Sequence, residues 1–121
     1  MNSLFAAVAQ TPAVQSLRQR LELGGALAGA GVSRAAQPFL AVLLRQFFPQ
    51  RCIVVVTDGL KTQEGFHQDV GTWLRQAPGG PGSHDAPFTH LPSPLFYPAW
   101  EVLPHESKLP HADVKIGRAH V

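Results

Sequence analysis

Apolar residues recur at helical spacing in the first two thirds of the chain. Thr11-Pro12 predicts a helix start, a hydroxyl N-cap followed by proline at the first helical position. Val14, Leu17 and Leu21 follow on one face, and Gly24-Gly25 stops the helix. Met1 to Ala9 predicts a short preceding helix with Leu4, Phe5 and Val8 together. Ser33 predicts the N-cap of a helix over Arg34 to Phe48. Its stripe is Phe39, Val42, Leu43 and Phe47, its Pro38 is tolerated near the first turn, and Pro49 ends it. Asp58-Gly59 turns the chain into a third helix, about Lys61 to Gln76, with Phe66, Val70, Trp73 and Leu74 on one side.

Between these helices the period changes. Cys52-Ile53-Val54-Val55-Val56-Thr57 has no alternation, so it predicts a strand buried on both faces, as in parallel sheets covered by helices. Ala26-Leu27-Ala28 and Leu95-Phe96-Tyr97 are shorter strand candidates. The order helix, strand, helix, strand, helix, strand predicts an α/β layered domain with a parallel sheet and right-handed crossovers. Eight of the eleven prolines lie between Pro78 and Pro110, which makes the last third rich in loops. The stretch Ala77 to Pro87 (APGGPGSHDAP) reads as a surface loop.

Composition narrows the function classes. The chain has 121 residues, enough for one domain, and 45% of them are apolar, as in a globular protein. The net charge of +2 is too small to argue for nucleic acid. No apolar stretch reaches the ~18 residues of a membrane span, and Met1 to Gln10 has no basic region of the signal-peptide kind. Cys52 is the single cysteine, so an internal disulfide and a cysteine-based zinc cluster are excluded. Its apolar run predicts a buried, unreactive thiol.

The glycine turn before the second long helix is where an α/β domain would bind phosphate, on free N–H groups at a helix N-terminus. A working loop reads Gly-x-x-x-x-Gly-Lys-Ser/Thr. Counting from Gly29 through Gly31 and Ser33, the second glycine is Arg34, the lysine is Ala35 and the hydroxyl is Ala36. The place of a phosphate cradle is kept and its chemistry is lost, which leaves Ser33 and Arg34 as a weak anion site at most. His84, His90, His105 and His111, with Asp85, Glu106 and Asp113 nearby, lie in the proline-rich third. Their gaps of six, fifteen and six residues lack the short spacing of a zinc site. Glu101 and Glu106 are not placed as an acid/base pair, and no Gly-x-Ser-x-Gly elbow is present. No cofactor, metal or catalytic residue is expected. Trp100, in a rigid extended loop between Pro98 and Pro104, is expected either to cap the core or to form a recognition surface.

Tyr97-Pro98-Ala99-Trp100-Glu101-Val102-Leu103-Pro104, followed by Lys108-Leu109-Pro110-His111-Ala112-Asp113, resembles the N-terminal domain of the bacterial transcription-repair coupling factor (Mfd). That family carries an aromatic-Pro-x-Trp-Glu-x-Leu-Pro stretch and then a Ser-Pro-His-x-Asp stretch opening a helix. The second stretch departs at Leu109 and keeps its Pro110, His111 and Asp113. The resemblance covers roughly Ala13 to Val114 and is strong only in the last twenty residues. It implies a partial RecA-like layered domain, similar to UvrB, whose phosphate loop has decayed. In the whole family the protein recognises stalled RNA polymerase, moves on double-stranded DNA using ATP and magnesium, and recruits UvrA in the bacterial cytoplasm. The motor lies far C-terminal of this stretch, so no catalytic or UvrA-contacting residue carries over. The expectation is a non-catalytic N-terminal fragment of the coupling factor. The alternatives are a nucleotide-dependent, UvrB-like helicase subunit and a free-standing protein-binding module.

Residues 1–114 are thus expected to be an incomplete UvrB-like domain. Residues 115–121 read Lys-Ile-Gly-Arg-Ala-His-Val and break the family pattern. Ile116 to Val121 is the translation, in one frame, of the sequencing adapter AGATCGGAAGAGCACACGTC, so this tail is expected to be non-native. Without Lys115 and Arg118, eight basic residues face eight acidic ones, and the slight basicity disappears. A parallel sheet cut short would leave an exposed edge, so the isolated chain is expected to be marginal or to aggregate.

Overall fold

Thr11 begins the second helix of the chain, as its sequence predicts, but by a different bond. Its Oγ1 donates to the Val8 carbonyl at 2.7 Å, and Gln15 Nε2 donates to the Ala9 carbonyl at 2.6 Å. These bonds satisfy the last carbonyls of one helix while the backbone, extended at Thr11, turns into the next. The computed structural model describes residues 3–77 and 94–99. Four α-helices are present among them: α1 (Ser3–Ala9), α2 (Pro12–Leu23), α3 (Gln37–Phe47) and α4 (Leu60–Gln76). Gly24 and Gly25 end α2 with φ of +81° and +106°, the left-handed region that glycine enters without strain.

The predicted parallel sheet is absent: no strand occurs among the described residues. The partial RecA-like layered α/β architecture is therefore corrected to a helical one. Ala26–Ala28, Cys52–Thr57 and Leu95–Tyr97 run without helix, turn or bend and form no strand among the described residues. The reasons differ. A strand is held by hydrogen-bonded neighbours, and an apolar run that asks to be covered on both faces does not itself supply them. Ala26–Ala28 offers two small side chains and one leucine between glycines. Leu95–Tyr97 is bracketed by Pro94 and Pro98, neither of which has an N–H to donate. The single helix predicted over Arg34 to Phe48 also divides, into a 3-10 turn at Arg34–Ala36 and then α3. Ser33 caps that turn without a side-chain hydrogen bond.

The core forms where the helical stripes meet. Phe5 of α1, Val42 and Leu43 of α3 and Ala77 after α4 are buried. Val8, Ala9, Val14, Phe39, Phe47, Val70, Trp73 and Leu74 pack against them half-buried. Three aromatic rings fix the helix arrangement. Phe5 stacks on Phe39 at 4.7 Å between centroids, and Trp73 meets Phe39 edge-on at 4.9 Å and Phe5 at 6.1 Å. Such pairs add about 0.5–1.5 kcal/mol each beyond burial. Arg18 over the Phe47 ring at 4.9 Å and Arg51 over Phe48 at 4.6 Å hold the end of α3 near α2. Arg51 also donates to the Leu21 carbonyl at 3.2 Å. The exposed Arg18–Glu22 pair, 3.4 Å apart one turn along α2, contributes little.

Candidate functional site

Cys52 to Val56 carries the most unusual surface in the described chain. The run is exposed, and its exposure alternates: 37% at Ile53, 79% at Val54, 45% at Val55 and 88% at Val56. That is the period of a strand, with Ile53 and Val55 leaning inward and Val54 and Val56 outward. Among the described residues no hydrogen bond involves the backbone of 52–56. The buried thiol expected at Cys52 is corrected with it: Cys52 is exposed, because no layer among the described residues covers it. An uncharged, mostly β-branched segment whose backbone N–H and C=O groups have no hydrogen-bond partner among the described residues can accept a further strand on its edge.

Beside it lies a small open groove of about 100 Å³. Its floor is α4, through Phe66, His67 and Val70. Val55 and Thr57 form one wall, and Pro94, Leu95 and Phe96 form the other. Thr57 closes the entry to α4, its Oγ1 donating to the Gly59 carbonyl at 3.3 Å, while that carbonyl also accepts the Gln63 N–H at 2.9 Å. His67 Nε2 lies 3.0 Å from the Pro94 carbonyl oxygen, and its ring meets Phe96 edge-on at 5.4 Å. The groove is lined mainly by carbon, with Gln63, His67 and Thr57 as its polar members. It suits an apolar side chain or backbone better than a charged ligand.

The glycine-turn residues stand apart from this groove. Gly29, Gly31, Ser33, Arg34, Ala35 and Ala36 are all exposed. No strand precedes them, and neither Gly29 nor Gly31 has a positive φ. The turn is closed by its own backbone, Val32 N–H to the Gly29 carbonyl at 3.3 Å and Ala36 N–H to the Ser33 carbonyl at 3.0 Å. The second of these N–H groups is thereby taken from any anion.

Of the aromatic-proline stretch, Tyr97 and Pro98 are described. Tyr97 is 56% exposed and Pro98 is fully buried. Trp100, Glu101, Leu103, Pro104, Pro110, His111 and Asp113 lie outside the described residues, as do His84, His90, His105 and the 115–121 tail. Among the described residues no group of three or more His, Cys, Asp or Glu side chains is placed to hold a metal, and no helix is long and apolar enough to cross a membrane. Sequence reading missed His67 altogether. Its signal was present: a histidine one residue after Phe66 and three before Val70, at the edge of an apolar stripe. No protein-family model, curated protein or solved structure matches the chain.

Proposed function

We propose that this chain is a non-catalytic, protein-interacting portion of the N-terminal module of a transcription-repair coupling factor. Its task there is to present an apolar edge that the remainder of that protein covers. The observation that carries this reading is the extended run Ile53–Val56. Val54 and Val56 turn their side chains to solvent, and the backbone has no hydrogen-bond partner among the described residues. An exposed apolar edge of this kind is a recognition surface or a liability, and covering it by further chain resolves both. The Tyr97–Pro104 stretch supports the family assignment, and Ala35 and Ala36, at the positions of the phosphate-binding lysine and hydroxyl, support a role without catalysis. ATP and magnesium, UvrA, RNA polymerase and double-stranded DNA then belong to the whole coupling factor and are engaged by its other parts.

Supplying the chain in trans tests the proposal. Mixed with a coupling factor deleted of the corresponding segment, it should form a complex on gel filtration, and Val54→Lys together with Val56→Lys should abolish that complex. Failure of the unaltered chain to associate contradicts the reading. So does magnesium-dependent, micromolar ATP binding by the chain alone.

A further inference from the structure

We propose that Pro94–Phe96 is a strap laid across α4 and that His67 is its latch. A carbonyl oxygen only accepts, so His67 Nε2 carries the hydrogen and donates to Pro94 across 3.0 Å. The ring of the same residue is the edge-on partner of Phe96. One side chain thus grips the strap at two points, through a hydrogen bond at its first residue and a ring contact at its third.

The strap lies outside the main core. That cluster is drawn from α1, α2, α3, α4 and Ala77, around Phe5, Val42 and Leu43, and no residue of Pro94–Phe96 belongs to it. Leu95 is 73% exposed, between the two gripped residues, so its side chain adds little to the hold. Segments with few buried contacts open locally at a free-energy cost well below that of global unfolding. Release of the latch loosens Pro94–Phe96 as far as the buried Pro98, which stays anchored, while the Phe5–Phe39–Trp73 cluster stays packed. Phe66 and Val70, which already line the open groove, then gain further exposure beside the Ile53–Val56 edge. The strap is thereby a cover over apolar surface with its own local control, and this holds whichever protein family the chain comes from.

Two measurements test it on the full chain. The ring nitrogens of His67, observed by NMR in mildly alkaline buffer, should show the tautomer protonated at Nε2; the Nδ1-protonated tautomer overturns the latch. Chymotrypsin cleavage after Phe96, followed by mass spectrometry, reads strap opening directly. His67→Ala removes both grips and should speed that cut about tenfold, with cleavage after Phe39 and Phe47 unchanged. His67→Gln keeps an N–H near the Nε2 position and should stay within about threefold of the unaltered chain, since one hydrogen bond accounts for about a fivefold effect. Equal rates for His67→Ala and the unaltered chain overturn the proposal. So does His67→Gln cutting as fast as His67→Ala.

Discussion

Phe39 and Val54 are both apolar, and the sequence places both in a core. The structure separates them. Phe39 packs between Phe5 and Trp73, whereas Val54 stands 79% exposed. Phe39→Ala should therefore destabilise the chain by about 3 kcal/mol, the lower end of the range for aromatic truncation because the ring is only half-buried. Val54→Lys should change stability by less than about 0.5 kcal/mol, as surface substitutions do. Urea unfolding followed by Trp73 fluorescence measures both. A cost of several kcal/mol at Val54 would mean that the run is buried after all. Helical residues were legible because their neighbours at three and four positions confirm one another. Val54 was not, because an unbroken apolar run signals burial only if a second layer exists, and its own residues do not encode that layer.

At the scale of elements, starts and stops were the most legible features. Pro12 begins α2, Gly24 ends it and Gly59 precedes α4. Each is a local matter of φ and of missing donors, so a few adjacent residues suffice. Gly24→Ala places a side chain at φ +81° and should cost about 1 kcal/mol. Gly31→Ala, at a position with open space and no positive φ, should be neutral within a few tenths. Thermal melts of the two variants make the comparison, and equal shifts would refute the distinction. Sheet formation was not legible in the same way. It depends on partners distant in sequence, and Cys52–Thr57, Ala26–Ala28 and Leu95–Tyr97 each look like strands without showing what would pair with them. The 3-10 turn at Arg34–Ala36 is a smaller failure of the same kind: Ser33 signals a start, and Pro38 five residues later resets the helix at Gln37. The glycine turn lies where sequence put it, yet it has no preceding strand to aim it.

At the scale of the whole molecule, a helical cluster with an aromatic centre carries two extended segments on one flank, on either side of a groove floored by α4. The central claim is that the more apolar of these, Cys52–Val56, is open to solvent in the isolated chain. Cys52 reports on it directly, being the single thiol and lying at the start of the run. The decisive measurement is the rate at which a maleimide modifies Cys52 in native buffer, divided by its rate in urea. An open edge predicts a ratio within about threefold of one. Protection of a hundredfold or more would contradict it, because a thiol inside a paired, doubly covered strand reacts only when the protein opens.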